Sequence, residues 1–491
     1  MNVDNQIDLG IEDVIDTYRI NFKNEKQKAA LFLFKNMSIH KGINYRWLNN
    51  ENEIVSFSEL NYSDIEVAVA AFNKLKDTVH LHPQVYEAMD TDELNGKLFY
   101  KNIELAFEEW RGNSWSQNYD FETFCEYILP YRSLVEPLED WREEYRFIFK
   151  SGLAEVSGSN DPVEVISKVI LNLKDYRFLA NRPDPIPILS PKQLLFRRAG
   201  ACPDLSNLAL LAGRSIGLAV TFDFTPHYAA SSNRHFWNSI IDQNGNSIPF
   251  NGNSYGNTDG LPYAYHPQKE KRVAKVFRKT FSIQTESVGF RYENLIPSSS
   301  FLTSKNIIDV TKEYVSTGEI VVNTLPNLNY NTGFINVYNF GKWRNVDWAL
   351  KEQQYYVFDD LGKEIVYLPS VYDGDKMHYY HYPILLSNEG KSQVLKPAYN
   401  DSFNFCFDLN NSKYNPFGKE HNSVDIQNDE IYKLMVWDKE WKVVSTSVAF
   451  SKKLLFEKTP DNGLFLVLSE TRNGYERIFT INKTTNQITW Y

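Results

Sequence analysis

Cysteine is scarce in this sequence, and only Cys125, Cys202 and Cys406 occur among its 491 residues. The three lie far apart and are odd in number, which excludes a disulfide framework and argues against a zinc site built on cysteine. His378 and His381 have a spacing compatible with a metal, but no cysteine is near them in sequence, and structural or surface roles are favoured. We therefore expect neither a metal nor a cofactor, and an unpaired thiol in so long a chain favours a nucleophile.

Long apolar runs are also missing. No stretch approaches the roughly 20 apolar residues that a membrane-spanning helix needs, so no transmembrane segment is expected. The chain opens with the polar stretch MNVDNQIDLG, in which no signal peptide is visible. Large aromatic modules are typical of exported proteins, so a periplasmic or cell-surface location is expected, with the cytoplasm as the alternative.

The chain has fewer basic than acidic residues, with 52 Lys and Arg against 62 Asp and Glu and a net charge of -10. A nucleic-acid-binding surface needs a basic stripe, and the only long basic cluster is 269–279. Its basic residues alternate with apolar ones, which predicts a strand with one solvated face. We therefore expect no nucleic-acid partner.

The remaining composition is that of an ordinary globular protein, with 42% hydrophobic and 23% charged residues. At roughly 100–200 residues per domain, the length indicates about three units. Aromatic residues make up 15% of the chain, which suits β-rich modules because aromatic side chains pack well on pleated surfaces.

The pattern along the chain predicts a multidomain α+β protein. Helical periodicity dominates 1–150, in the segments 62–78, 101–111, 120–128 and 139–149. A core follows over 151–292, and its first helix is expected at Pro162–Leu173. After a linker at 294–306, short aromatic and β-branched runs predict two β-sandwich modules, 305–395 and 396–491.

The two modules contain similar segments, 336–348 and 433–445, each of which reads as strand, charged turn, Trp and strand. This similarity hints at related modules. Trp343, Trp437 and Trp441 in these segments could stack on sugars, but packing in a core is the better interpretation.

Cys202 is followed by apolar residues at helical spacing, and Gly217 is a natural end for that helix. Pro203 suits the first helical position. Cys202 is therefore expected at the N-terminus of a buried helix, where the helix dipole favours a thiolate. Gly200 just upstream allows close approach of another backbone.

A hairpin is predicted after the next strand, 218–224, because Gln243-Asn244-Gly245 separates two apolar runs. A three-residue loop with Gly245 left-handed pairs Asp242 with Asn246, so that paired residue numbers sum to 488. Trp237 then lies opposite Asn251, with His235 diagonal to it on the same face. A two-residue loop would shift the register by one and separate these faces.

This geometry supplies the groups that thiol catalysis needs. Cys202 would attack a carbonyl, and His235 would take the thiol proton and return it to the leaving amine. Asn251 would orient the imidazole, while Trp237 would shield that hydrogen bond from water. If Asn251 is a turn residue instead, Asp242 and Asp223 are the next candidates for the third position.

The segment 195–252 resembles the transglutaminase-like superfamily, which has a papain-like cysteine protease fold. Gly200, Cys202 and Asp204 resemble the nucleophile motif of the superfamily. RSIGLAV resembles its second element, and His235-Phe-Trp237 resembles its third. The LPYR stretch at Leu129–Arg132 and KVFRKTF at 275–281 resemble bacterial multidomain members. In these, β-sandwich modules follow the core, one of them similar to galactose-binding or discoidin-like domains.

The resemblance implies a cysteine site, and this sequence departs from it in one catalytic position. The family usually has Asp where Asn251 stands, although papain-like peptidases use Asn in that role. An oxyanion hole would use the Cys202 N–H and a side-chain donor, for which Gln193 is the candidate. Tyr131, Asp204 and His227 are further residues that could line the site. For Tyr131, with Arg132, anchoring of the helical region to the core is the favoured role, and for His227 a place in a loop is favoured.

Two functions remain open. The first is a cysteine hydrolase or acyltransferase that cleaves an amide in a peptide or glycopeptide through a thioester. The second is a catalytically weak or inactive scaffold whose β-modules bind carbohydrate or a cell-surface polymer. A catalytic Cys202 is expected to alkylate much faster than Cys125 or Cys406 at pH 6–7.

Overall fold

The computed structural model describes residues 10–21, 24–180, 182, 186–252, 258–267, 271–324, 330–411, 413–414, 421–422, 424–471 and 477–491. Within these residues the architecture is mixed α/β. Helices dominate the first two hundred positions, and antiparallel strands dominate the last two hundred. No helix in the described part is long and apolar enough to cross a membrane.

The N-terminal region contains most of the helices. They are α1 (Ile11–Asn21), α2 (Asn24–Asn36), α3 (Ile65–Val79), α4 (Asp90–Glu93), α5 (Gly96–Gly112), α6 (Phe121–Thr123) and α7 (Arg142–Ser151). Helix α6 continues as a π-helical turn over Phe124–Ile128. At the start of α3, the Asp64 side chain accepts the Val67 N–H at 2.9 Å, which satisfies a backbone donor that the helix leaves unpaired.

This region also has a three-stranded antiparallel sheet, which the expectation of a mainly helical segment did not include. Its order is β2-β1-β3, with strands β1 (Lys41–Leu48), β2 (Ile54–Val55) and β3 (His82–Met89). Five of the eight side chains of β3 are exposed, so the strand lacks the apolar alternation by which strands are recognised.

The central unit places the candidate site. Its helices are α8 (Pro162–Asn172), α9 (Pro191–Arg197) and α10 (Cys202–Ser215), and its short parallel pair is β4 (Arg177–Phe178) with β5 (Ala199–Gly200). The five-stranded sheet has the order β10-β9-β6-β7-β8. Its strands are β6 (Phe222–Thr225), β7 (His235–Ile241), β8 (Ser247–Phe250), β9 (Phe277–Lys279) and β10 (Ile307–Asp309). Helix α10 packs against one face of this sheet, with Leu208 and Ile240 in the same core.

Strand β10 extends the central unit beyond residue 292. It pairs with β9, with Ile307 opposite Lys279. The segment expected as a linker, 294–306, follows α11 (Val288–Arg291) and folds back on the sheet. The rings of Phe277 and Phe301 lie 5.0 Å apart. Leu302 is buried. This segment is therefore packed structure between the core and the β-rich half.

The described part of the basic cluster, 271–279, does not form a solvated face, and residues 269–270 lie outside the described residues. Lys271, Lys275 and Arg278 are all buried. Lys275 Nζ lies 2.5 Å from a carboxylate oxygen of Asp309 and 2.8 Å from one of Asp347. Buried cations need paired partners, and here carboxylates from distant parts of the chain supply them, which the local alternation could not indicate.

Strands make up nearly all of the described C-terminal half. Beyond residue 304, its one described α-helix is α12 (Thr311–Tyr314). The first sheet contains β11 (Thr317–Asn323), β12 (Thr332–Asn339), β13 (Lys342–Glu352), β14 (Tyr355–Gly362), β15 (Ile365–Tyr372), β16 (Met377–His378), β17 (Ile384–Leu386) and β18 (Ser392–Val394). The remaining strands are β19 (Ala398–Phe407), β20 (Lys413–Tyr414), β21 (His421–Asn422), β22 (Ile431–Trp437), β23 (Trp441–Val448), β24 (Leu454–Asp461), β25 (Phe465–Ser469), β26 (Phe479–Asn482) and β27 (Gln487–Trp490).

Two separate hydrophobic cores lie in this half, one on each side of residue 396. A third, shared core joins the two parts. The two similar sequence segments are the hairpins β12–β13 and β22–β23, which meet in this shared core. The rings of Trp343 and Trp437 lie 5.4 Å apart, and both are buried. These two residues therefore pack between modules, while the sandwich division itself stays a prediction.

Candidate active site

Helix α10 begins at Cys202, as the sequence indicated. Ala201 is extended, and its N–H donates to a carboxylate oxygen of Asp204 at 2.9 Å. The same oxygen lies 2.9 Å from Nε of Arg182. A Cβ on Gly200 would come within 2.6 Å of the Asp204 Cβ, so this position requires glycine. Asp204 thus fixes the turn that presents the thiol.

The Cys202 thiol is half-buried. The backbone N–H of Phe236 donates to its sulfur, and the Arg234 guanidinium is nearby, and both interactions favour the thiolate. Burial outweighs them and raises the pKa of Cys202 to about 11. The structure differs here from the expectation of a resting thiolate at the helix N-terminus, because burial penalises the charged form.

Alkylation of Cys202 by iodoacetamide should therefore be slow at about pH 6–7 and rise about tenfold per pH unit, since only the thiolate reacts. Cys125 is the matched control, because burial raises its pKa to about 12. It should react more slowly than Cys202 at every pH. Peptide mapping by mass spectrometry gives both rates from one sample, and a Cys202 rate independent of pH across the neutral range would contradict the neutral thiol.

The β7–β8 hairpin has the predicted register. Asn238 pairs with Phe250, and Ile241 pairs with Ser247, so the paired numbers sum to 488. Gly245 is left-handed with φ of 81°. Asn251 follows the last pair and lies on the face of Trp237 by alternation. Gly252 lies on the other face, where a Cβ would come within 2.5 Å of Ala209 Cβ in α10.

The His235 ring lies against Trp237 on that face, with ring centroids 5.7 Å apart and planes at 29°. Trp237 is fully buried. Among the described residues, Nε2 of His235 has no hydrogen-bond partner. Burial, with a smaller contribution from the Lys271 charge, lowers the pKa of His235 to about 4. The imidazole is therefore neutral at pH 7 and able to accept a proton.

His235 is the first residue of β7, and Cys202 approaches the same end of this strand from α10. Helix α10 contacts the opposite face of the strand, where Asn238 Nδ2 donates to the Ser206 carbonyl at 3.0 Å. The sulfur reaches the strand at the Phe236 N–H, one residue after His235. The hydrogen bonds of the described residues include none from the sulfur to the imidazole. The sulfur and the imidazole therefore belong to consecutive positions along β7, with no hydrogen bond between them among the described residues.

The three candidates for the third catalytic position differ in their hydrogen bonds and ion pairs. The Asn251 N–H donates to the Gly260 carbonyl at 2.7 Å, and the role of its side chain stays a prediction. Asp242 accepts the N–H groups of Asn244 and Asn246, both at 2.8 Å, and so closes the hairpin turn. Asp223 is buried and paired with Arg278. Both carboxylates therefore have structural roles.

The other predicted residues are held by contacts of their own. Gln193 Nε2 donates to the Tyr45 hydroxyl at 2.9 Å, and its oxygen accepts the Ser190 N–H at 3.0 Å. An oxyanion role for Gln193 stays a prediction that would use its second amide hydrogen. The Tyr131 hydroxyl donates to Asp90 at 2.8 Å. This contact joins the LPYR stretch to the start of α4 within the N-terminal region.

His227 lies in the loop that precedes His235. It is half-buried, and its Nδ1 has no hydrogen-bond partner among the described residues. Burial, with the nearby Arg344 and Arg234 charges, lowers its pKa to about 4. It therefore resembles His235 in charge state but lies on a loop.

Two residues that the sequence did not single out hold this loop. Asn339 Nδ2 contacts three of its carbonyls: Tyr228 at 2.8 Å, Ser231 at 2.6 Å and Asn233 at 2.9 Å. Arg477 donates to the Ala229 carbonyl. Both come from the β-rich half, more than one hundred residues away, so no local signal could have identified them.

No group of three or more His, Cys, Asp or Glu side chains in the described ranges is placed to hold a metal ion. His378 contacts Asp373, with 2.5 Å between its Nε2 and a carboxylate oxygen. His381 Nδ1 lies 2.7 Å from the Tyr382 carbonyl.

No protein-family model and no curated protein matches this chain. Among solved structures it is similar to a protein from Cytophaga hutchinsonii described as a candidate cysteine protease, with 16% identity and a TM-score of 0.23. That similarity covers 31% of this chain and 50% of the other, so the chain spans half that protein's length. Red sea bream transglutaminase is similar with 9% identity and a TM-score of 0.22, over 94% of this chain and 78% of that one. Likeness this low does not indicate the function of this chain.

Proposed function

We propose that this protein is a cysteine hydrolase or acyltransferase that cleaves an amide in a peptide or glycopeptide through a thioester on Cys202. The observation that supports the proposal is the position of the thiol. Cys202 begins a buried helix, and its sulfur meets β7 at the N–H of Phe236, directly after the neutral His235. A nucleophile beside a neutral base is the arrangement that acyl transfer needs.

Because burial keeps both groups neutral, proton transfer would accompany the attack. The imidazole takes the thiol proton as the sulfur bonds to the carbonyl carbon, and the imidazolium then protonates the departing amine. For this step the ring has to approach the sulfur by rotation of the His235 side chain. Water or a second amine finally accepts the acyl group, and the thiol is regenerated.

The surrounding residues would support each stage. The Cys202 N–H, at the start of α10, would stabilise the oxyanion, with Gln193 as the second donor. Asn251 would orient the imidazole from the same face of the hairpin. Trp237, which is fully buried beneath the ring, would exclude water from that contact.

Trapping the acyl-enzyme tests the proposal without knowledge of the substrate. The protein is mixed with p-nitrophenyl acetate, quenched in acid and mapped by mass spectrometry. Acetyl is expected on Cys202, lost in Cys202→Ala and retained in Cys125→Ala and Cys406→Ala. Addition of a primary amine reports whether water or the amine is the acceptor. Absence of acetyl on Cys202 in the unmodified protein would refute the thioester.

An inactive scaffold is the competing proposal. The raised pKa of Cys202 and the unbonded Nε2 of His235 favour it. In that case the β-modules would carry the function by binding a carbohydrate or cell-surface polymer. The burial of Trp343 and Trp437 removes two of the three tryptophans considered for sugar stacking. The acetyl trap separates the two proposals.

A further inference from the structure

An apolar cavity of about 260 Å³ lies between the N-terminal sheet, α3 and the short β4–β5 pair. Its walls include the rings of Tyr45, Trp47, Phe57 and Phe72. These rings pack on one another, with centroids 4.6 Å apart for Trp47 and Phe72 and 5.1 Å for Phe57 and Phe72. The cavity is therefore built by a packed aromatic cluster, and we name it the aromatic cavity.

The size of the aromatic cavity limits its occupant. A cavity of about 150 Å³ holds a benzene molecule, whereas pockets for drug-sized ligands measure about 300–1,000 Å³. A volume of about 260 Å³ therefore suits one large apolar side chain with its attached backbone. It is too small for a whole folded segment.

Three arginines and Glu59 supply the charges that line the cavity, and the arginines differ in their ion pairs. Arg197 pairs with Glu59 at 2.6 Å, and Arg182 pairs with Asp204 at 2.9 Å. The third, Arg177, is exposed and has no ion pair among the described residues. An exposed guanidinium beside an apolar wall favours a ligand that carries a carboxylate, because Arg binds carboxylates in a matching planar geometry.

The aromatic cavity lies close to the nucleophile. Arg177 and Ala199 are register partners in the β4–β5 pair, and both line the cavity. Cys202 follows Ala199 by three residues, and three residues span at most about 11 Å. A substrate bound in the cavity could therefore reach the sulfur within two or three residues of its own chain.

We infer that the aromatic cavity binds an aromatic side chain of the peptide substrate, with a neighbouring carboxylate on Arg177. The substrate is thus a peptide with an aromatic residue next to an acidic group, a few residues from the cleaved amide. The inference deepens the proposed function and rests on it for the link to chemistry. Binding itself requires no reactive thiol.

Calorimetric titration of the Cys202→Ala protein tests the binding. The probes are N-acetyl-phenylalanine, which carries a carboxylate, and its neutral amide. Ligands of this size reach dissociation constants on the order of 1 mM. The acid is expected to bind about tenfold more tightly than the amide. Arg177→Gln should remove that difference, while Lys174→Gln, an equal loss of charge on an exposed residue nearby, should retain it.

A pair of variants on α3 tests the location. Val69 lines the aromatic cavity and is 48% exposed, while Val67 lies on the same helix, is 47% exposed and does not line it. Val69→Trp should fill the cavity and weaken binding of N-acetyl-phenylalanine at least tenfold, whereas Val67→Trp should leave it unchanged. Equal effects of the two variants, or no saturable binding by Cys202→Ala, would overturn the inference. Because the thiol is absent throughout, a failed acetyl trap would not alter these results.

Discussion

Replacement of His235 by alanine is expected to slow acetylation of Cys202 at pH 7 by roughly 10²–10⁴-fold, the usual contribution of a positioned general base. The effect is large because burial raises the pKa of Cys202 to about 11, so little thiolate exists without a base. The rate is measured with p-nitrophenyl acetate from the initial burst of p-nitrophenolate.

The pH dependence gives an independent readout. Burial lowers the pKa of His235 to about 4, so the imidazole is an available base above that pH and is protonated below it. The acetylation rate should therefore fall as the pH drops through about 4, rather than through the ordinary histidine pKa of about 6.5. His235→Ala should remove this acid limb and leave a rate that simply follows the thiolate fraction.

His227 provides the matched control. It shares the lowered pKa of about 4 but lies on the loop before β7. His227→Ala should change the rate by no more than a few-fold, and Asn251→Ala should fall between the two because it removes only the orienting group. If His227→Ala lowered the acetylation rate as much as His235→Ala, the general base would be assigned to His227 on the loop.

The elements that carry the site could be predicted where residues close together in sequence determine the structure. The start of α10 follows from Pro203 and the Asp204 side chain, and both lie within two residues of Cys202. The β7–β8 register follows from a three-residue turn that ends in glycine, since turn geometry determines pairing. Both features depend on neighbours in sequence, which a single sequence displays.

What the sequence did not indicate depends on distant contacts. The charge state of Cys202 reflects burial by the rest of the fold. Lys271 affects His235 from a segment expected to be a strand with one solvated face. Asn339 holds the loop before His235 from the β-rich half. Such contacts pair residues through the tertiary fold, and no spacing in the sequence encodes them. The N-terminal sheet was missed for a different reason, because β3 is mostly exposed and lacks apolar alternation.

Removal of the Asp223 carboxylate should destabilise the sheet beneath the site by about 3–5 kcal/mol, the usual cost of leaving a buried charge without its partner. Asp223 in β6 is fully buried and accepts two hydrogen bonds from Arg278 in β9, at 2.9 and 2.8 Å. It also accepts a hydrogen bond from the Tyr314 hydroxyl. Tyr314 in turn packs on Trp237, with ring centroids 5.3 Å apart. The pair therefore supports the strand that carries His235.

The same guanidinium offers a matched control in Glu313, whose carboxylate lies 2.7 Å away but whose side chain is 39% exposed. Glu313→Gln should cost less than about 1 kcal/mol, because water screens exposed pairs. Hydrogen exchange of the β6 and β7 amides measures the local opening free energy in both variants. The double variant Asp223→Leu with Arg278→Leu should lose less than Asp223→Ala, since it leaves no buried charge unpaired. Equal exchange in Asp223→Ala and Glu313→Gln would mean that solvent reaches Arg278 and that the strand beneath His235 is held by packing alone.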